Sequence, residues 1–257
     1  MTVEAYKTSE DIIQRTIGTV EKNQRYSIYK AELFPQYYSG NGIELHHPAD
    51  LATTEAWFEK SFPTNQFKHK TITFWPHAKE FRSLITEAIN NGYTLDQYQV
   101  MALSLWRRQE PSYNDRYEVV DIKDQRLSDL FKSENQSSPW YKETGKEIWQ
   151  KSILLHTKID TKWHIIGDED TCYSQVGVFR SGDYLRLQDV LTREGHRQRG
   201  YAAFLIGKIL NKGLKNNAKA LILLADENSK AYRFYKELGF QPIGPFQCLS
   251  YDPSSAT

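Results

Sequence analysis

In the second half of the chain, apolar positions alternate between the two periods of regular structure. Ala202, Leu205, Ile206, Ile209 and Leu210 recur at i, i+3, i+4, i+7 and i+8, which predicts an amphipathic helix from about Tyr201. Before it, Trp163–Ile166, Ser174–Phe179 and Tyr184–Leu191 read as short strands. The turn signals Gly167-Asp168 and Ser181-Gly182-Asp183 separate them, so an antiparallel meander is expected. After the helix, Ala220–Leu224 is continuously apolar, the pattern of a strand covered on both faces. Asn228-Ser229 offers a helix cap, Ala231, Phe234, Tyr235 and Leu238 form a stripe, and Gly239 suits a left-handed helix end. A last strand is predicted near Phe246–Tyr251.

Upstream of the meander, Tyr117–Ile122 alternates as a strand, and Asp124–Lys132 puts Leu127, Leu130 and Phe131 on one helical face. The order β-α, then β-β-β-α-β-α-β, defines an α+β plan with an antiparallel meander and crossover helices. The polar stretch Arg107–Asp115, which contains Pro111, separates it from the first half and places a boundary near residues 110–116. The expected division is therefore a domain at 1–112 and another at 117–257.

The first half ends on a similar order. Lys70–Phe74 reads as a strand, and Ala78–Asn90 as a helix with Phe81, Leu84, Ile85, Ala88 and Ile89 apolar. Gly92-Tyr93 follows, then a strand at Gln99–Leu103. The second half repeats this as Leu221–Leu224, Ala231–Leu238, Gly239-Phe240 and Phe246–Tyr251. A weak internal duplication is the resulting expectation, with a smaller N-terminal α/β domain.

Composition narrows the function classes. With 33 Lys and Arg against 32 Asp and Glu, the 257-residue chain carries a net charge of +1. It has no polybasic field for a nucleic-acid backbone or an anionic membrane, so neither partner is expected. The 12 Phe, 16 Tyr and 6 Trp supply bulk for a sizeable core. Two cysteines, Cys172 and Cys248, cannot build a disulfide scaffold or a four-thiolate zinc site, which points to a reducing, intracellular compartment. Residues Met1–Lys7 lack a basic start and apolar core, and runs such as Ala220–Ala225 fall short of the roughly 20 residues a membrane span needs. Cytoplasmic residence is the expectation.

The balanced total hides a local excess. Between Arg193 and Lys215 there are six basic residues (Arg193, Arg197, Arg199, Lys208, Lys212, Lys215) and one acidic residue, Glu194. Here a strand runs into a short turn whose Gly200 opens a helix. Backbone N–H groups at Gln198–Ala202 are thereby left to face one spot, an anion site by geometry and dipole. A tight turn beside a solvated basic face would use the same residues without binding anything. No Gly-x-x-x-x-Gly-Lys-Ser/Thr is present, so the site is not a P-loop. His196, beside the turn, and the pair His46-His47 lack partners at ligand spacing and read as turn or surface residues, so no metal is expected.

Arg197-Gln198-Arg199-Gly200-Tyr201-Ala202 resembles the Gln/Arg-x-x-Gly-x-Gly/Ala signature of the GNAT superfamily of acyl-CoA-dependent N-acetyltransferases, set between a strand and an amphipathic helix as that family requires. Asn228 to Phe240 is similar to its second signature: Asn, Ala three on, Tyr seven on, and a closing Gly-Phe. Ala202 replaces the commoner final Gly, and Gln198 stands where many members have Gly, yet both keep their N–H. The resemblance covers about residues 117–251 and implies a GNAT-like mixed sheet, with the first half a degenerate GNAT-like half that lacks the phosphate signature.

It also implies roles. Gln198, Arg199, Gly200, Tyr201 and Ala202 would hold the pyrophosphate of acetyl-CoA, the co-substrate, with Arg197 and Arg199 adding charge at the rim. Val190, Leu191 and Thr192 would pair with the pantetheine arm, one N–H polarising the thioester carbonyl, and Asn228 would contact the same arm. Tyr235 would protonate the departing thiolate. The stripe it shares with Ala231, Phe234 and Leu238 also suits a core tyrosine, and Asn228 also suits a helix cap. Asp189 is the best-placed carboxylate for a general base. Attack by the amine is direct, so Cys172 and Cys248 need not act. The expected acceptor is an amine on a small molecule or peptide, and the expected assembly a monomer or homodimer. The rival reading is a CoA-binding regulatory or scaffold module without catalysis.

Overall fold

The computed structural model describes residues 3–63, 67, 69–75, 80–105, 113–137 and 139–252, with side chains except at 139–144. The first half runs α1 (Glu4–Ile17), β1 (Thr19–Lys22), β2 (Tyr26–Lys30), β3 (Asn41–Leu45), α2 (Leu51–Ser61), β4 (Lys70–Phe74), α3 (Arg82–Asn90) and β5 (Thr94–Leu103). The second runs β6 (Arg116–Val120), α4 (Gln125–Asn135), α5 (Pro139–Lys158), β7 (Lys162–Gly167), β8 (Cys172–Ser181), β9 (Tyr184–Thr192), α6 (Tyr201–Lys215), β10 (Ala220–Asp226), α7 (Lys230–Leu238) and β11 (Gln241–Tyr251). The predicted meander is β7–β9, and the predicted crossover helices are α6 and α7. Helix α3 starts at Arg82; positions 78 and 79 of the predicted helix lie outside the described residues, as do 107–112 of the polar stretch. Strand β11 starts at Gln241 rather than near Phe246, because Gln241–Pro245 also pair with β5 around a bulge.

All eleven strands form one sheet, in the order β1-β2-β3-β4-β11-β5-β10-β9-β8-β7-β6. Only β3–β4 and β9–β10 are parallel, and each parallel pair is connected through a helix, α2 or α6. The order exposes an exchange at the centre. Strand β5 of the first half lies between β10 and β11, while β11 of the second half lies between β4 and β5. The two exchanged strands pair antiparallel from Gln241↔Ala102 to Ser250↔Thr94. A local twofold therefore passes between them, and the sequence echo is its trace. Helices α3 and α7 both end on a left-handed glycine, Gly92 (φ 85°) and Gly239 (φ 101°). The aromatic residue that follows each, Tyr93 or Phe240, is buried and leads the chain into the exchanged strand.

One face of the sheet carries α2 and α3 over Ile43, Ile72 and Leu249, and α6 and α7 over Leu187, Leu221 and Met101. The other carries α1 and α5, which share a cluster with Phe179, and α4, which packs with Trp163 and Ile165. Residues Val100–Leu103 of β5 are at most 5 % exposed, so this strand is core to both halves.

A chain cut at Tyr113 removes β5 and leaves facing edges of β10 and β11 without a partner. Such unpaired backbone groups and apolar faces promote aggregation. Residues 113–257 expressed alone should be insoluble or bind a hydrophobic dye without a cooperative melt. A soluble fragment with a sharp thermal transition would contradict the exchange.

Candidate active site

The site begins where two parallel strands separate. Strands β9 and β10 pair only over Tyr184–Arg186 and Ala220–Ile222; beyond them Leu187–Thr192 and Leu223–Asp226 diverge. A bulge in β9 lies at the divergence, for Gln188 faces Gly177 while Leu191 faces Gln175. It is built on Asp189, whose φ of 45° is left-handed, a conformation a short polar side chain tolerates.

The bulge decides which N–H groups face the opening. Asp189 C=O accepts from the Gln175 side chain of β8 (3.4 Å), and Leu191 C=O accepts from Ser174 Oγ (3.0 Å). In a trans peptide the N–H points opposite to the preceding C=O, so the N–H groups of Val190 and Thr192 turn away from β8 into the opening. That of Leu191 lies on the β8 side. The structure thus separates the three residues that the sequence left together.

Beyond Thr192, a single 3-10 turn, Glu194–His196, leads to the signature segment. Gln198 (φ 62°) and Gly200 (φ 83°) are both left-handed, and Gly200 caps α6 with no side chain filling the cap. The consecutive N–H groups from Gln198 to Ala203 have no backbone acceptor among the described residues. This is an anion-binding nest on the positive end of a helix dipole. Tyr113 stands over it, its hydroxyl donating to Arg199 C=O (2.7 Å), and a Cβ on Gly200 would lie 2.6 Å from that hydroxyl. Arg197 pairs with Glu134 of α4 and donates to Thr192 C=O (3.1 Å), so its charge is partly spent anchoring the turn. His196 stacks on Tyr173, with ring centroids 4.0 Å apart. Burial, with Arg199 and Arg193 nearby, holds its imidazole below the ordinary value.

Two candidates flank the opening from α7. Tyr235 is 7 % exposed and clusters with Leu187 and Leu223, which border the divergence. Burial pushes its hydroxyl above the ordinary tyrosine value. The cap of α7 is Ser229, which accepts from Tyr232 N–H (3.0 Å), so the cap position is not Asn228; the Asn228 side chain is exposed.

Asp189 has a partner that its sequence neighbourhood does not show. His156 of α5, a residue the sequence reading did not single out, places Nε2 3.4 Å from Asp189 Oδ2 and Nδ1 2.8 Å from Thr161 Oγ1. The His156 side chain is 1 % exposed, whereas 39 % of that of Asp189 is open. Removal from water works against ionisation of Asp189. The His156 contact and the charges of Lys151 and Arg186 outweigh it and hold the carboxyl below its ordinary value. Cys172 and Cys248 are free thiols, each pushed up to about 12, chiefly by burial, so neither is a ready nucleophile at neutral pH.

On the α1–α5 face a cavity of about 250 Å³ reaches the opening at Arg186, Gln188 and Leu224. Arg186 of β9 crosses to α1, where Ser9 Oγ (3.2 Å) and Glu10 (3.4 Å) accept from it and the Tyr6 ring lies 3.7 Å from its guanidinium carbon. The two halves therefore wall the cavity together. Among the described residues, no group of three His, Cys, Asp or Glu side chains is arranged to hold a metal, and no helix is long and apolar enough to cross a membrane.

The arrangement has relatives. The family model for the Acetyltransferase (GNAT) family matches residues 119–240. A functionally unknown conserved protein from Staphylococcus epidermidis superposes with a TM-score of 0.70 at 14% identity, over 91% of this chain and 94% of that one. A GCN5-related N-acetyltransferase from Kribbella flavida does so with 0.63 at 12%, over 98% and 96%. A GCN5-related N-acetyltransferase-like protein from Streptococcus suis gives 0.54 at 12%, over 96% and 97%. At these identities the likeness is one of fold, and it spans both halves. No curated protein matches the sequence. Residues 119–240 carry a GNAT acetyltransferase domain, and the chain as a whole shares its fold with GCN5-related N-acetyltransferases.

Two substitutions test this local geometry. Gly200→Ala meets both the positive φ and the Tyr113 hydroxyl and should cost about 1–3 kcal/mol, a fall in Tm of roughly 2–12 °C for a protein of this size. Tyr113→Phe in the same chain should restore only part, because the strained φ stays; full recovery, or no initial loss, would contradict the geometry. Asp189→Asn, which keeps the left-handed preference, tests the charge. A carboxyl whose pKa is lowered by folding adds stability above its unfolded value of about 3.9, and that gain is lost as pH falls through the folded value. The urea midpoint of the variant should lie below that of the wild type at pH 7, and the gap should shrink as the pH falls below the unfolded value of about 3.9. An unchanged gap would place the effect elsewhere.

Proposed function

We propose that the protein is an N-acetyltransferase that moves an acetyl group from acetyl-CoA to an amine by direct attack. The observation that carries this reading is the continuity of three features: the N–H nest, the opening between β9 and β10, and a cavity on the opposite face lined by both apolar and polar residues. The nest offers six adjacent donors to a pyrophosphate, with Arg199 close by at Tyr201 and His196. From there the pantetheine arm would run into the divergence, replacing the pairing that β9 and β10 abandon, with Asn228 at its outer side. The N–H groups of Val190 and Thr192 face that arm, and either would polarise the thioester carbonyl.

In the reaction the amine nitrogen forms a bond to the acetyl carbon as the carbon–sulfur bond breaks. Asp189, ionised at neutral pH, draws the amine in, stabilises the positive charge on nitrogen and receives its proton for transfer to solvent. His156, buried and held by Thr161, orients that carboxylate. The leaving sulfur takes its proton from Tyr235, whose raised pKa keeps it protonated until a thiolate appears beside it.

The first half supplies a wall and no second cofactor site. Its counterpart pair β3–β4 stays in register to the last residues, Leu45↔Phe74, with no divergence. Helix α2 opens on Asp50, whose own carboxylate accepts from Thr53 N–H (2.7 Å) at the position where α6 leaves its N–H groups free. An internal anion there excludes a phosphate. The free thiols, Cys172 buried and Cys248 half-buried, suit a reducing compartment, and we place the protein in the cytoplasm.

Calorimetric titration with acetyl-CoA should show saturable binding that Gly200→Asp abolishes. With an amine panel followed by thiol release, Tyr235→Phe should lower kcat about 10²–10⁴-fold while leaving cofactor affinity intact. Activity untouched in Tyr235→Phe would remove its role. Tight cofactor binding with no turnover of any amine would favour a CoA-binding module without catalysis.

A further inference from the structure

The cavity behind the opening contains a buried cation that no carboxylate among the described residues meets at ion-pair distance. Lys151 of α5 is 8 % exposed and lines the cavity, yet its Nζ makes no ion pair with any described carboxylate; the ring of Tyr37 lies 4.3 Å away, and Asp189 feels its charge from beyond contact distance. A buried ammonium is costly unless paired. Arg186 nearby is in the opposite condition, since Tyr6, Ser9 and Glu10 already take its guanidinium N–H groups. The cavity's other carboxylate, Glu44, accepts from the Tyr29 hydroxyl (2.8 Å). Further polar atoms turned into this space also lack a protein partner: Gln14 Oε1, Thr71 Oγ1, Arg186 Nε and Gln188 Nε2. Such groups call for partners from solvent or from a bound molecule.

Resting on the acetyltransferase reading, we propose that the acceptor is a small amine bearing an anionic group, an amino acid or a close relative, whose carboxylate pairs with Lys151 while its amine lies at Asp189. Lys151 stands five residues before His156 on the same helix. The charge of Lys151 reaches Asp189 and lowers its carboxyl pKa, so the anion and amine sites adjoin. The volume agrees, because about 250 Å³ lies below the ~300–1,000 Å³ of sites for drug-sized ligands and leaves little room for a folded peptide segment. Gln188 Nε2 adds a neutral donor for the carboxylate, and Gln14 Oε1 and Thr71 Oγ1 accept from the rest of the molecule. The first half thereby sets specificity, since α1 and β4 contribute those two groups.

The test separates binding from transfer. Free L-amino acids and their carboxamides, which differ only in the anionic group, are titrated against the full chain by calorimetry and then assayed for acetyl transfer. At least one acid should bind the wild type about 10–100-fold more tightly than its amide, the range of one charge-assisted contact. Lys151→Met should bring that ratio to about one, and Lys151→Arg should restore much of it. Circular dichroism melts of the variants establish that each is folded. Acids preferred over amides in binding, but no acetylation of either, would keep the anion site and remove the acetyltransferase reading. Acetylation of amines with no preference for the acid, or a preference that Lys151→Met leaves intact, would overturn the proposal while the reading stands. No saturable binding of any acid overturns it as well.

Discussion

The structure depends on one exchange. Each half of the chain builds a parallel strand pair with a crossover helix and then gives its closing strand to the other half, so that β5 and β11 pair with each other at the centre of a single sheet. A parallel pair is incomplete in water, because its outer edge and both faces need covering. The exchange covers the edge of β10 with β5 and that of β4 with β11. Helix α1 crosses between the halves as well. Carried over from the first half, this helix lies against β9 of the second, where Tyr6, Ser9 and Glu10 receive Arg186. The cavity exists because of that crossing.

The chemistry follows from a second, smaller departure from regularity. A β9 that stayed in register with β10 would use its N–H groups in the sheet, and no free donor would face the opening. The bulge at Asp189 breaks the ladder, sends the Val190 and Thr192 N–H groups outward, and presents the Asp189 carboxylate to His156 on the cavity side. A left-handed non-glycine residue is a local cost that persists only where its surroundings enforce it. Here a single strained residue places both an electrostatic donor and a carboxylate. In the first half neither the bulge nor the open helix start is present, and Asp50 occupies the place of an incoming anion.

What could be read from the chain alone was what is local. The period of Ala202–Leu210, the glycine stops at Gly92 and Gly239, and the Arg197–Ala202 turn each rest on the chemistry of neighbouring residues, and they placed β7–β10, α6 and α7. The echo between residues 70–103 and 221–251 pointed to the duplicated order. It did not reveal the exchange, since a strand's sequence shows that it is covered and not by which partner. Helices α1 and α5 were missed for a related reason. Each meets the core through a few positions, such as Ile13, Ile17 and Leu155, among polar residues whose role emerges only from the far side of the sheet. His156 and Lys151 lie on α5 and disappeared with it. No spacing links them to Asp189, because the contacts span 33 residues in one case and an entire cavity in the other.

The central claim is that the backbone from the bulge to the first turn of α6 is the cofactor's binding surface. Hydrogen–deuterium exchange with and without acetyl-CoA measures that backbone directly. The account predicts that saturating acetyl-CoA slows exchange at Val190, Thr192 and Gln198–Ala203 and leaves Thr53 and its neighbours at the start of α2 unchanged. Saturable binding with no protection at those amides, or protection centred on the first half, would contradict it.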